Sequence, residues 1–173
     1  PAPMVLRQPL EDLRLLRRVG RVDPTSIAAY RASGGFTALA QAHDMGVAWV
    51  IGEVTAAGLL GRGGAAFPTG RKWIAVQTEP ATPHYLICNA DESEPGTFKD
   101  RVLMEEDPFA VIESMAIAAF ATGCAHAYVY VRGEYPLAVE RLQHATDAMR
   151  PDGVLGTLSI EIRRGAGAYI CGE

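Results

Sequence analysis

The chain has 173 residues, of which 49% are hydrophobic and 21% charged, a composition typical of a soluble globular domain with its own core. Sixteen basic and twenty acidic residues give a net charge of −4, which argues against nucleic acid as the main partner. No apolar run approaches the roughly 20 residues that a membrane span needs, and the sequence does not start with a secretory leader. We therefore expect a cytoplasmic protein without direct membrane insertion, peripheral to a membrane at most through a complex.

The cysteines indicate no metal site. Cys88, Cys124 and Cys171 are far apart, and none forms a C-x-x-C pair, so these residues carry neither a zinc or iron–sulfur signature nor a disulfide framework. Buried free thiols in a reducing compartment are the simplest interpretation.

Short helices are predicted within the first 57 residues, which precede a larger domain. Ser26 can cap a helix over residues 27–32, and further helices are predicted over residues 36–43 and 47–57. Because these helices offer too little apolar surface for a separate domain, we interpret residues 1–57 as a helical lead-in packed on the main domain, residues 58–173.

A glycine-rich stretch opens the main domain at residues 61–73, GRGGAAFPTGRKW. Residues 61–67, here called the glycine loop, contain three glycines, which let backbone N–H groups approach a ligand closely. After Pro68, Thr69 is a candidate N-cap, and Lys72 lies on the first turn of a predicted helix that ends at Thr78. Such a loop before a helix suits a phosphate-bearing cofactor. On its own, however, the stretch is explained more simply as a flexible surface turn.

Strands and helices then alternate. Residues 85–88 form a short apolar run that fits a buried parallel strand, and residues 127–131 and 158–162 are the next predicted strands. Asp107 and Pro108 open a helix in the favoured cap order, and Pro136 opens another. This alternation predicts an α/β fold, a Rossmann-like and mostly parallel sheet with flanking helices, preceded by short helices.

Polar segments follow two of the strands. Residues 89–101, NADESEPGTFKDR, are called the acidic segment and begin where the strand over residues 85–88 ends. Ligands of open α/β sheets lie outside the carboxyl ends of strands, so cofactor contacts belong here. A solvated loop with Asp91 as a turn residue explains the segment equally well. Residues 165–173, GAGAYICGE, follow the last strand and contain spaced glycines. A tight turn before a helix would explain these glycines equally simply.

Taken together, the three motifs resemble the flavin-bearing, NADH-oxidising subunit of respiratory complex I, a module shared with NAD-reducing hydrogenases and NAD-dependent formate dehydrogenases. The resemblance covers residues 19–173. It implies that the protein binds FMN non-covalently with NADH beside it, and that its partners are other subunits of a complex carrying iron–sulfur clusters. Matching positions place NADH at Phe67 and Glu94. They place the flavin among Gly61, Arg62, Gly63, Gly64, Lys72, Asn89, Asp91, Glu92, Tyr169, Gly172 and Glu173.

The resemblance also implies the chemistry. Hydride passes from C4 of NADH to N5 of the flavin, which releases electrons singly to an iron–sulfur centre, or the reverse sequence reduces NAD. No general acid, base or nucleophile is required from the protein, so we predict no catalytic side chain. His84, His126 and His144 are interpreted as structural or surface residues. Acids near the flavin are expected to lower its reduction potential.

Two departures from the family pattern stand out. Ala66 occupies a position where many members have glycine, so its methyl group narrows the backbone freedom beside Phe67. The family continues beyond the position of Glu173 with more phosphate-binding residues and a cysteine cluster for a 4Fe-4S centre. We therefore expect a fragment with an incomplete FMN site, inactive by itself.

Two other functions compete with this interpretation. One is a non-catalytic interaction module that keeps the fold without flavin. The other is an enzyme that binds a nucleoside triphosphate, which is disfavoured because Trp73 follows Lys72 where the G-x-x-x-x-G-K-[ST] motif requires a hydroxyl.

Overall fold

A computed structural model describes residues 13–167. In this part of the chain, the helices and strands follow one another as α1 (Ile27–Ala32), α2 (Thr37–Met45), α3 (Val47–Ala56), α4 (Thr69–Thr78), β1 (His84–Ala90), α5 (Lys99–Glu106), α6 (Pro108–Thr122), β2 (Cys124–Val131), α7 (Pro136–Met149) and β3 (Ser159–Arg164).

The three strands form one parallel sheet in the order β1-β2-β3. Ala90 lies opposite Val131, which in turn lies opposite Arg164, so all three strands end at the same edge. We call this the carboxyl edge. The predicted α/β class with a parallel sheet and flanking helices is confirmed.

Helices α6 and α7 cover one face of the sheet. Helix α6 is apolar on nearly all sides and buries ten of its fifteen residues. The same core takes in the inward residues of the strands and of α7: Ala90, Ala127, Val129, Val131, Ile160, Ala138, Leu142, Ala145 and Met149.

The prediction that the first strand is buried is wrong for one of its two faces. Exposure alternates along β1, where the side chains of Tyr85 and Ile87 remain 54% and 68% exposed. Alternation follows from the side-chain period of two, because α6 and α7 pack on only one of the two faces.

Helix boundaries differ from the predictions in ways that have local causes. Helix α1 is capped by the Ser26 hydroxyl as predicted, but α2 begins at Thr37 because Phe36 adopts a left-handed φ of 66°. Thr69 is not an N-cap: Pro68 holds that position, and Thr69 is the first residue of α4. Asp107 does precede α6, yet its carboxylate accepts from Arg18 Nε at 2.9 and 3.1 Å instead of capping the helix.

Helix α5 was not predicted at all. The acidic segment runs into it, because Lys99 is its first residue. Its apolar residues are few, and it is held by burial of Met104, which is 2% exposed, and by a buried carboxylate described below.

The N-terminal helices pack against the sheet's helical layer. Tyr30 and Leu39 belong to the same buried cluster as α6 and α7. The Glu113 carboxylate of α6 accepts the Tyr30 hydroxyl at 2.5 Å and the N–H groups of Phe36 and Leu39 at 2.9 and 3.2 Å. The division of the chain at residues 57 and 58 stays a prediction. Among the described residues, no helix is sufficiently long and apolar to cross a membrane.

Candidate functional site

The glycine loop is closed at its base by backbone hydrogen bonds. Gly61 N–H donates to Phe67 C=O at 2.8 Å, and Thr69 N–H donates to Leu59 C=O at 2.9 Å. Beyond the inner of these two bonds, residues 62–66 are exposed, and Gly64 adopts a left-handed φ of +86°. Within residues 13–167, no atom beyond its chain neighbours lies within 4 Å of where a Cβ on Gly64 would stand, so this part of the chain leaves open space there.

Cations gather where this loop enters α4. Arg71 and Lys72 both lie on the first turn of α4, which carries no acidic residue. The Lys72 Nζ lies 3.7 Å from where a Cβ on Gly61 would stand, so its side chain reaches back to the glycine loop. Exposed Arg62 adds a further cation. Because a helix N-terminus is itself a positive pole, these cations are unfavourable there unless an anion balances them.

Helix α4 packs against α3 and α6 and approaches β1 at two points. At its carboxyl end, Glu79 C=O lies 3.0 Å from the imidazole Nε2 of His84, the first residue of the strand. At the middle of the helix, Trp73 lines a cavity together with residues 86–88 of β1. Its N-terminus and the glycine loop therefore lie toward the carboxyl end of β1.

The acidic segment leaves β1 in two turns. Asn89 Oδ1 accepts from Asp91 N–H at 3.1 Å, and the Asp91 carboxylate accepts from the Ser93 hydroxyl. Glu94 C=O then accepts from Thr97 N–H at 3.1 Å, closing a turn over Pro95 and Gly96, whose φ is +79°. Proline followed by a left-handed glycine is the signature of a type II turn. The Glu94 side chain projects from this turn as an exposed residue.

Glu92 points the other way, into the protein. Its side chain is 1% exposed, and its two carboxylate oxygens accept the N–H groups of Asp100 at 2.9 Å and Arg101 at 3.2 Å. These are free donors of the first turn of α5, so Glu92 caps that helix from seven residues before its start. The Tyr135 hydroxyl donates to the same carboxylate at 3.2 Å.

Residues 132–135, here called the β2–α7 turn, lie at the centre of the carboxyl edge. Tyr135 N–H donates to Arg132 C=O at 3.2 Å, closing the turn. The Arg132 guanidinium donates to Glu92 C=O, pairs with Glu134 at 3.2 Å and lies 5.2 Å from the centre of the Tyr135 ring.

The same turn is tied to the segment after β3. Gly165 N–H donates to Val131 C=O at 2.7 Å, and Arg164 donates to Gly133 C=O at 2.8 and 3.2 Å. A Cβ on Gly133 would meet Gly165 C=O at 2.7 Å, so only glycine fits between the two segments. The β2–α7 turn thus binds both neighbouring segments at the carboxyl edge.

The electrostatic environment differs between residues of this edge. Burial, and then the Glu92 carboxylate, raise the pKa of Tyr135, so its hydroxyl stays protonated and donates. The Glu134 carboxylate raises the pKa of Arg132. Burial raises the pKa of the Cys88 thiol to about 11, which makes this cysteine a poor nucleophile at neutral pH.

The structure brings the predicted site residues into two groups. Gly61, Phe67 and Lys72 meet in the glycine loop, which Arg62, Gly63 and Gly64 complete, while Asn89, Asp91, Glu92 and Glu94 share the acidic segment. Tyr169, Gly172 and Glu173 lie outside the described residues. The assignment of flavin and NADH contacts to these residues stays a prediction.

Sequence reasoning missed Arg132 and Tyr135. A signal was present, because Arg132 directly follows the predicted strand over residues 127–131, as the acidic segment follows the strand before it. Parallel strands end at one edge, so both segments belong to the same site.

Three of the four histidines contact backbone carbonyl groups or lie at the surface. His84 Nδ1 lies 3.0 Å from Thr122 C=O, His144 Nε2 lies 2.8 Å from Thr25 C=O, and His126 is exposed. Within residues 13–167, no group of three or more His, Cys, Asp or Glu side chains is placed to hold a metal ion.

Comparison with known proteins gives a family match over most of the chain. The family model described as the Nuo51 FMN-binding domain matches residues 54–173. The chain is 46% identical over 168 residues to one of the NADH-quinone oxidoreductase subunits of Rhizobium meliloti, covering 92% of this chain and 40% of that protein. It is 45% identical over 165 residues to the HndC protein of the NADP-reducing hydrogenase of Solidesulfovibrio fructosivorans, covering 91% and 34% of the two chains.

A solved structure shows the same fold. The air-oxidised NAD+-reducing [NiFe]-hydrogenase superposes with a TM-score of 0.69 at 43% identity, covering 75% of this chain and 22% of that one. The chain therefore spans about two fifths or less of the relatives named here.

Proposed function

We propose, since the chain belongs to the Nuo51 FMN-binding domain family, that it binds FMN and NADH within an NADH-oxidising subunit. In this proposal hydride passes from NADH to FMN and electrons continue to iron–sulfur centres in partner subunits, or the sequence runs in reverse to reduce NAD. A 4Fe-4S cluster of the subunit itself would be held by residues other than those of this chain.

One observation carries the proposal: the glycine loop joins exposed backbone to a group of cations at the start of α4, whose first turn carries no acidic residue. None of the described residues lies where a side chain on Gly63 or Gly64 would stand, and the Lys72 ammonium group reaches back to the base of the loop. Together with the first turn of α4, this donor set suits an anionic group such as the FMN phosphate.

The remaining residues fit the other parts of the ligands. Phe67 is 50% exposed at the end of the glycine loop and offers an aromatic face to a planar ring. Exposed Glu94 offers carboxylate oxygens that accept from the hydroxyl or amide groups of a nicotinamide nucleotide. Bound there, FMN supplies an acceptor for an electron pair that can be released as single electrons.

The acidic segment acts on the site through its charge. Asp91 and Glu94 keep carboxylates at the carboxyl edge, where negative charge disfavours an additional electron on a nearby group. The chain thus orients the ligands and lowers the reduction potential of the bound flavin. No side chain in this proposal transfers a proton.

A titration tests the proposal at Lys72. FMN fluorescence is followed while the purified full-length subunit, stripped of flavin, is added to it. Wild type should bind FMN, and Lys72→Ala should bind about 10- to 100-fold more weakly, because a charge-assisted hydrogen bond contributes about 1.5–3 kcal/mol. Arg71→Ala is the matched control, since it removes a cation from the same helical turn, and it should weaken binding less than threefold.

Either of two results would refute the proposal. Wild type that stays colourless after incubation with FMN would support the non-catalytic module. Equal losses in Lys72→Ala and Arg71→Ala would assign the effect to general charge and not to a phosphate contact.

A further inference from the structure

We infer that Arg132 and Tyr135 are positioning residues for the nucleotide-binding side of the acidic segment. The argument begins with Glu92, whose carboxylate is fully used inside the protein. It accepts from Asp100 N–H, Arg101 N–H and the Tyr135 hydroxyl, all within 3.2 Å. A carboxylate so occupied holds the segment in place.

Glu92 is held at both its side chain and its backbone. Tyr135 binds the side chain, and the Arg132 guanidinium donates to the backbone C=O. Both partners belong to the β2–α7 turn, so the conformation of the acidic segment depends on a neighbouring strand.

This anchor lies between the residues that face outward. Asp91 precedes Glu92 directly, and Glu94 follows two residues later in the type II turn. Tyr135 also lies 3.5 Å from Thr97 C=O, at the far end of that turn. If the anchor is released, the backbone around Glu94 gains freedom that nucleotide binding must then remove.

The anchor is rigid at its own base. Tyr135 is 7% exposed, and Gly133 leaves no room for a side chain against Gly165. The guanidinium of Arg101 lies 5.2 Å from the Tyr135 ring, as that of Arg132 does. The turn therefore presents Arg132 and Tyr135 in fixed positions.

The test compares Arg132→Met with Arg163→Met. Arg163 is a matched control because it also pairs with a glutamate two residues away, Glu161 at 2.9 Å, and lies 5.9 Å from a tyrosine ring, that of Tyr128. It lies on the open face of the sheet, away from the acidic segment. Both variants are prepared in the full-length subunit, with Arg132→Lys as the conservative variant.

Hydrogen exchange is the first measurement, and it does not depend on any ligand. Arg132→Met should raise the exchange rate of the amides of Asp100 and Arg101 at least tenfold, and Arg163→Met should leave it unchanged. Tyr135→Phe, which keeps the ring and removes only the hydroxyl, should raise it as well. Unchanged exchange in both Arg132→Met and Tyr135→Phe would overturn the inference.

Kinetics with NADH and ferricyanide is the second measurement, and here the inference rests on the proposed function. Arg132→Met should raise the KM for NADH three- to tenfold, while kcat and the flavin-to-protein ratio stay within twofold of wild type. This pattern is expected when ground-state and transition-state binding are lost together. Arg132→Lys should restore most of the KM.

The two proposals fail in different ways. A wild type without flavin refutes the proposed function and leaves the exchange result standing for the anchor. An Arg132→Met variant with wild-type KM in a flavin-loaded subunit refutes the positioning role alone. A variant that loses flavin and NADH binding in proportion to its folded fraction also refutes it, because the residue would then be merely structural.

Discussion

At the scale of single residues, the site is shaped by side chains that face away from it. The sequence places Glu92 among acids after a strand, which predicts a ligand contact, but the structure turns its carboxylate inward to cap α5. Glu94, two residues later, is exposed, and its assignment to a ligand contact stays a prediction. Sequence alone could not separate the two, because the difference depends on Tyr135, 43 residues away from Glu92.

Ala66 is the second informative residue. Its φ of 49° lies in the left-handed region, and it follows Gly64 with a φ of +86°. An L-residue with a side chain is strained there by roughly 1 kcal/mol or more, whereas glycine is not. The sequence departure at this position therefore has a backbone consequence.

We predict that Ala66→Gly stabilises the fold by up to about 1 kcal/mol, or about 2–4 °C in Tm for a chain of this size. Ala65→Gly is the control, because the φ of Ala65 is not positive and added chain entropy should cost about 0.5–1 kcal/mol. Thermal unfolding followed by circular dichroism measures both. A lower Tm for Ala66→Gly than for Ala65→Gly would contradict the strain.

At the scale of elements, the long apolar segments were predictable and the short ones were not. Helices α6 and α7 and strand β2 bury continuous or periodic apolar residues, and their prolines and Gly123 mark their ends, so the sequence alone places them. Helix α5 has only eight residues and is capped by Glu92, which lies seven residues before its start and outside the usual N-cap positions.

Helix α2 is also held by a buried carboxylate that accepts from N–H groups at its start. The Glu113 carboxylate, on a residue 6% exposed, accepts Phe36 N–H and Leu39 N–H at the start of α2 together with the Tyr30 hydroxyl. Burial and this partnership raise the pKa of Tyr30, so its hydroxyl remains a donor throughout the accessible pH range. One carboxylate thus joins α1 and α2 to α6.

We predict that Glu113→Gln destabilises the protein by about 2–3 kcal/mol, because an amide offers a single acceptor oxygen and turns an N–H group toward buried donors. Urea unfolding measures the change. Tyr30→Phe should cost less, about 1 kcal/mol, because it removes one of three donors. Glu140→Gln, at an exposed position on α7, serves as the control and should stay within about 0.5 kcal/mol of wild type. A Glu113→Gln variant as stable as Glu140→Gln would contradict the capping role.

At the scale of the whole molecule, all three strands end at one edge of the sheet, and the β2–α7 turn contacts its neighbours on both sides. Arg132 donates to Glu92 in the segment after β1, and Gly133 C=O accepts from Arg164, the last residue of β3. The glycine loop reaches the same end of β1 through α4. The shared edge follows from the predicted alternation of strands and helices, whereas the contacts between the segments are visible only in the structure.

The central claim is that the glycine loop cradles the flavin, and Gly64→Val tests it most directly. Its matched control is Gly153→Val. Gly153 also has a positive φ, +70°, and the described part of the chain places no atom within 4 Å of its Cβ position, but it precedes β3 at the opposite edge of the sheet. Both substitutions therefore introduce similar backbone strain, about 1 kcal/mol or more.

The measurement is the flavin-to-protein ratio in the folded, monodisperse fraction of the full-length subunit, with a circular dichroism melt of each variant. Both variants should melt cooperatively, and Gly153→Val should keep flavin close to one per chain. Gly64→Val should retain less than a tenth of the flavin, because its side chain fills ligand volume. A near-stoichiometric flavin ratio in folded Gly64→Val would contradict the account.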